Sequence, residues 1–143
     1  MHVEFLVEEE SSEAFLTVLL PKILPAHATF QIHTFQGKQN LLRHLPERLK
    51  GYRYCLPPDG RIVVLIDEDR QDCKQLKKRL EEVAEQAGLK TKSRATPNQK
   101  FTVLNRIAVE ELEAWYFGDV KALVEAFPGV SADLNRKEPY RNP

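Results

Sequence analysis

Five consecutive apolar residues, Ile62-Val63-Val64-Leu65-Ile66, run directly into an acid, Asp67. The run does not alternate with polar residues, so both of its faces must be covered. A strand of that kind belongs in the middle of a parallel sheet with helices packed above and below it. The turn signal Pro57-Pro58-Asp59-Gly60 precedes it, and a long helical pattern with Cys73, Leu76, Leu80, Val83, Ala84 and Ala87 on one face follows it. Asp72 is placed to cap that helix and Gly88 to end it.

The rest of the chain repeats the strand–helix alternation. Val3 to Val7 is a short β-favouring stretch, and Ser12 is positioned to cap a helix with Phe15, Val18 and Leu19 on one face. Pro21 and Pro25 are expected to break or end that helix. Ala28 to Phe35 reads as a second strand. Leu41, Leu42, Leu45 and Leu49 then recur at helical spacing, with Pro46 expected to split the helix or restart it. Phe101 to Val109 contains a fourth strand, and Glu110 to Gly118 and Val120 to Phe127 read as two short helices. The order β-α-β-α-β-α-β-α predicts an α/β fold: a Rossmann-like, mainly parallel sheet of about four strands with helices on both faces.

Composition narrows the functional classes. The chain has 143 residues, 42% hydrophobic, enough for one domain with a real core. Its 21 basic and 21 acidic side chains cancel, which argues against indiscriminate binding to nucleic acid or membrane but permits local patches. No apolar run is long enough to span a bilayer, and MHVEFLVEEE has no secretory leader pattern. Cys55 and Cys73 make no disulfide framework, and no Cys/His spacing suits zinc. A cytoplasmic domain is expected. KEPYRNP stops in a turn-rich segment, so residues 128–143 read as the start of a truncated C-terminal extension beyond a domain spanning 1–127.

Open α/β sheets bind ligands beyond the carboxyl ends of their strands. Here two strands end in acids: Glu8, with Glu9 and Glu10 behind it, and Asp67 with Glu68, Asp69 and Asp72. In an extended backbone, Asp67 and Asp69 point the same way, and Glu8 joins them if the first and third strands are neighbours. Two carboxylates about 4 Å apart repel by roughly 4 kcal/mol at an effective dielectric near 20. Such a cluster needs protons, basic partners or a cation, and hard oxygen ligands suit Mg2+ or Mn2+. The plain alternative is a solvated strand end with helix caps.

Order excludes several other sites. A haloacid-dehalogenase-type phosphatase places its DxD after the first strand, not the third. A receiver domain wants a lysine at the end of a late strand, where Phe101 to Val109 offers only Arg106. Gly37-Lys38 is not a P-loop, because Ile32 stands where glycine is needed and Gln39 replaces the Ser/Thr. Ser11 and Ser12 have no partnered histidine, and His2, His27, His33 and His44 show no ligand spacing.

With a glutamate after the first strand and a DxD after the third, the chain resembles a Toprim-type domain, as found in topoisomerases, primases and the OLD and RloB nucleases. More closely, it resembles the bacterial family known as domain of unknown function 4276. The stretches VEEESSEAFLTVLLPKIL, FQGKQNLLRHLPERLKGY, RIVVLIDEDRQDCKQLKKRL and RIAVEELEAWYFGDVKAL carry that resemblance. It implies a Mg2+-dependent (or Mn2+-dependent) nuclease, with Glu8 as general acid/base or metal ligand and Asp67 and Asp69 as metal ligands. Some resembling systems pair such a nuclease with an ATPase in phage defence, which makes an ATPase a candidate partner. One departure from the Toprim pattern is Glu9, where glycine commonly lets backbone approach the site. It favours an alternative: a non-catalytic scaffold that binds a protein partner or nucleic acid.

Two further groups of residues extend these expectations. Glu113, or Glu111, precedes or flanks Trp115 after the fourth strand and is a candidate additional acid, against a surface helix with Trp115 and Phe117 packed inward. Lys74, Lys90, Lys92 and Arg94 are candidate contacts to DNA or RNA phosphates. In the helix after the DxD, Lys74, Lys77, Lys78 and Arg79 precede Glu81, Glu82 and Glu85. That order opposes the helix dipole by a few tenths of a kcal/mol, and solvated i,i+4 pairing is its plain explanation.

Overall fold

The computed structural model describes residues 1–109, 112, 115, 118–129 and 131–133. Four strands, β1 (His2–Val7), β2 (Thr29–Thr34), β3 (Arg61–Asp67) and β4 (Val103–Ala108), form one sheet in the order β2-β1-β3-β4. All three pairings are parallel, and β1 and β3 lie side by side in the interior. The helices are α1 (Glu10–Ile23), α2 (Lys38–Cys55), α3 (Cys73–Gln86) and α4 (Val120–Ala126).

Right-handed crossovers account for the layering. The connection from β1 to β2 steps one way along the sheet, while those from β2 to β3 and from β3 to β4 step the other way. Helix α1 therefore covers one face, and α2 and α3 cover the opposite one. The two cores follow suit: Leu16 and Leu20 of α1 pack with Phe5, Val7 and Leu65, whereas Leu41, Leu45, Leu49, Leu76 and Leu80 pack with Leu6, Val64 and Ile66. Alternate residues of the unbroken run in β3 thus feed different cores, as a strand covered on both faces requires.

Local chemistry sets most of the boundaries. Asp72 caps α3 by accepting from the backbone N–H groups of Lys74 and Gln75. Gly88, at φ +75°, follows the helix and donates its N–H to Glu85 O, while Leu89 donates to Ala84 O. Asp119 caps α4 at Ala122.

Two helices differ from expectation. Helix α1 starts at Glu10 with Glu9 at its N-cap, runs through Pro21, and buries Ser12, Leu16 and Leu20. Ser12 is therefore a core-facing position and not the cap, and Val18 is solvent-facing. Helix α2 runs unbroken through Pro46, although an interior proline costs about 3 kcal/mol. Leu41, Leu42, Leu45 and Leu49 are all buried on either side of it, and that burial outweighs the lost backbone bond. The extension expected over 128–143 lies largely outside the described residues.

Candidate metal centre at the carboxyl ends of β1 and β3

The strand order reverses between β1 and β3, so their carboxyl ends flank the crevice where open α/β sheets bind ligands. Glu8 follows β1 directly and Asp67 is the last residue of β3. Both are buried, at 2% and 6% exposure. Glu8 Oε1 accepts the backbone N–H of Asp67 at 2.5 Å, and Asp67 Oδ1 accepts that of Leu112 at 3.0 Å. Glu9, exposed at the N-cap of α1, completes a group of three carboxylates whose nearest oxygens lie within 4.8 Å of one another.

Burial pushes the Glu8 carboxyl up from 4.5 to about 7. The hydrogen bond from Asp67 N–H opposes that rise, the negative charge of Asp67 adds to it, and the nearby Lys38 ammonium offsets it in part. A buried carboxyl raised in this way, beside a second buried carboxylate, is relieved either by a proton or by a cation. The donors are all hard carboxylate oxygens, which fit Mg2+ or Mn2+ and give nothing to a soft metal. The residues present therefore fit a divalent cation on Glu8, Glu9 and Asp67.

Asp69 does not join them. The chain leaves extended geometry after Asp67, and Asp69 and Arg70 both adopt left-handed backbone, at φ +49° and +61°. The same-side argument for Asp67 and Asp69 holds only along a strand, and the strand has ended. The Asp69 carboxylate instead accepts from Lys38 Nζ at 2.8 Å, and the same ammonium donates to Glu68 O at 3.3 Å. Left-handed backbone is tolerable for aspartate and costs a longer side chain such as Arg70 about 1 kcal/mol or more.

Lys38 is the residue that sequence reasoning passed over. It is only 7% exposed, an uncommon state for lysine. Gly37 brings it there: at φ +88° it turns the chain after β2, and its N–H donates to Glu8 O at 2.8 Å. The first residue of α2 is thereby set beneath the end of β1. The available signal was a Gly-Lys pair between a strand and a helix, which the missing P-loop residues had set aside.

The other expected site residues scatter. Glu113, with Glu110, Glu111 and Phe117, lies outside the described residues. Trp115 is half-exposed, its ring edge-on to Phe15 with centroids 6.2 Å apart. Lys74 and Arg94 line one groove between α3 and β4. Lys90 is turned to Gln99 Oε1 at 3.1 Å, and Lys92 stands 5.8 Å from the centre of the Phe101 ring. The histidine pair His2 and His33 is satisfied on the Glu4 carboxylate at 2.9 and 2.5 Å. Burial pushes that carboxyl up, but hydrogen bonds from the two histidines bring it below its ordinary value.

An all-parallel four-stranded sheet covered by helices on both faces defines an α/β domain of Rossmann-like form. Within that class, the chain belongs to the family described as domain of unknown function DUF4276, whose model matches residues 7–143. No curated protein and no solved structure matches the chain. Among the described residues, no helix is long and apolar enough to cross a membrane.

Proposed function

We propose that this protein is a divalent-metal-dependent phosphodiesterase, a Toprim-type nuclease acting on DNA or RNA. The observation that carries the reading is the pair of buried carboxylates, Glu8 and Asp67, on adjacent central strands at the switch point, with Glu9 beside them. Mg2+ or Mn2+ bound there would neutralise the carboxylates, polarise a phosphate oxygen and lower the pKa of a coordinated water. Asp67 is oriented for that task by the Leu112 N–H, which leaves its carboxylate fixed in the crevice. Glu8 would hold the cation as a carboxylate, giving up the proton that burial otherwise favours. Lys38 contributes a fixed positive charge beside the site, where a phosphate's negative charge would develop. Asp69 serves as a further ligand only by leaving Lys38.

The test is a Mn2+ titration of the intact chain followed by electron paramagnetic resonance, with plasmid and RNA cleavage measured alongside. Asp67→Asn is expected to abolish Mn2+ binding at the site and to lower cleavage by about 100-fold or more. Unchanged Mn2+ binding in that variant would overturn the proposal.

A second reading has its own observation. The Lys38–Asp69 pair already brings an internal cation to the acidic loop, as a scaffold without a working metal site would do. In that reading the crevice binds a protein partner such as an ATPase. Absence of Mn2+ binding to the unaltered chain at millimolar concentration would favour it.

A further inference from the structure

Helix α3 packs against β4, the last strand in the sheet order, and between them opens a groove of about 590 Å³. That size is typical of small-molecule sites. Among the described residues, five cationic side chains line it, Lys74, Lys77, Lys78, Arg94 and Arg106, against a single acid, Glu81. Lys77 is neutralised by Glu81 at 3.0 Å, Arg94 is held by Glu85, and Lys78 lies 3.9 Å from Glu82. Among the described residues, Lys74 and Arg106 have no acidic partner, so the rim retains positive charge. The lining turns apolar at Cys73 and Ile107, with the exposed Val109 at its edge.

A buried acceptor in the lining is also unanswered. Asn105 is 1% exposed, and its Nδ2 donates to Glu81 Oε1 at 3.0 Å. Among the described residues, its buried Oδ1 has no hydrogen-bond partner. Turning the amide round would set Oδ1 against the Glu81 carboxylate, acceptor against acceptor, so the orientation is dictated by Glu81. Glu81 itself already accepts from Thr91, Asn105 and Lys77. Leaving an acceptor buried and unpaired costs about 1–3 kcal/mol, which a ligand bearing an N–H donor would recover.

Positive rim, apolar wall and one unanswered acceptor together describe a ligand with an anionic group, a flat apolar body and an N–H edge. We propose that the α3–β4 groove binds a nucleoside 5′-phosphate unit, free or as one residue of a strand, with its phosphate on Lys74 and Arg106 and its base edge toward Asn105. A bare anion would leave the apolar wall unused, and an apolar peptide would leave the cations unused. The groove is separate from the carboxylate crevice. It begins at Val109, next to Ala108, which pairs in register with Asp67 one strand away. The inference stands whether or not the crevice holds a metal.

The test uses the intact chain in EDTA, so that the crevice does not report, with calorimetry and amide NMR shifts against AMP, ribose 5-phosphate, inorganic phosphate and a short oligoadenylate. AMP is expected to bind with shifts at α3 and β4, and ribose 5-phosphate and phosphate to bind about ten-fold more weakly or worse. Lys74→Glu combined with Arg106→Glu should weaken AMP about ten-fold or more, while Mn2+ binding and Tm stay as in the unaltered chain. Tighter binding of oligoadenylate than of AMP identifies the ligand as a strand residue, and equal binding identifies a free nucleotide. Phosphate or ribose 5-phosphate binding as well as AMP, or AMP affinity surviving the double charge reversal, would overturn the proposal. Leaving Asn105 unaltered keeps the test free of folding effects.

Discussion

Two glutamates are buried to nearly the same degree and live in opposite electrostatic worlds. Glu81 sits between α3 and β4 with three donors on its carboxylate, from Thr91, Asn105 and Lys77. Burial pushes its carboxyl up, and those partners bring it below its ordinary value. Glu8 sits between β1 and β3 with one backbone N–H, from Asp67, and the Asp67 carboxylate as a neighbour, and it is raised to about 7. The difference shows that burial alone does not decide the charge state. A carboxylate with its donors built in is structural, whereas one buried beside another acid is left waiting for a proton or a cation.

The comparison can be broken most sharply by removing each carboxylate in turn. Glu81→Ala strands Lys77 and the Asn105 amide, so urea unfolding should show a loss of about 3 kcal/mol. Glu8→Gln keeps the bond from Asp67 N–H and removes a like charge, so at pH 8 it should be neutral or stabilising. Equal losses at the two sites would erase the distinction.

The next effect is in pH. Glu8 titrates near 4.5 in the unfolded chain and near 7 in the folded one, so the folded state holds the extra proton between those values. Its contribution is therefore full below 4.5 and is lost as pH rises through 7. Without metal, stability should fall by up to about 3 kcal/mol across that window, and Glu8→Gln should flatten the fall. Glu81, lowered instead, contributes stability above its unfolded value that is lost on acidification. The two carboxyls therefore predict opposite slopes.

Metal addition sharpens the contrast further. Mn2+ at one hundred times its Kd at pH 8 should raise stability there by about 2.7 kcal/mol, and the same concentration should give a smaller gain at pH 6, because Glu8 must release its proton. Thermal scans of the unaltered chain and of Glu8→Gln check this, and Glu81 should play no part. The smallest effect concerns Lys38. Lys38→Met removes the cation that partly offsets the rise at Glu8 and frees Asp69, costing about 1 kcal/mol. The Glu8 titration, followed by NMR, should move to higher pH. A downward move would contradict the assigned electrostatics.

Much of this fold was legible before the structure. The unbroken run 62–66 announced a strand covered on both faces, and the alternation of patterns announced a parallel α/β sheet. Asp72 and Gly88 marked the ends of α3 through capping chemistry that acts within a few residues. Glu8 and Asp67 were legible as site candidates because a strand end is a local property. Ser12 and Pro46 misled because their roles depend on packing: burial against the sheet recruited one into the core and carried a helix through the other.

What short-range chemistry dictates, then, is the order of elements, most of their ends, and the acids that close β1 and β3. Which acids meet was settled only in three dimensions. Asp69 and Glu9 are equally acidic on paper, yet one turns to Lys38 through left-handed backbone and the other joins Glu8 and Asp67 from the start of α1. Lys38 reaches the crevice because Gly37 turns α2 beneath the end of β1, and Glu81 finds Thr91 and Asn105 across the interface of α3 with β4. These pairings join residues far apart in the chain, and their energies depend on distance and desolvation, which exist only once the sheet has formed.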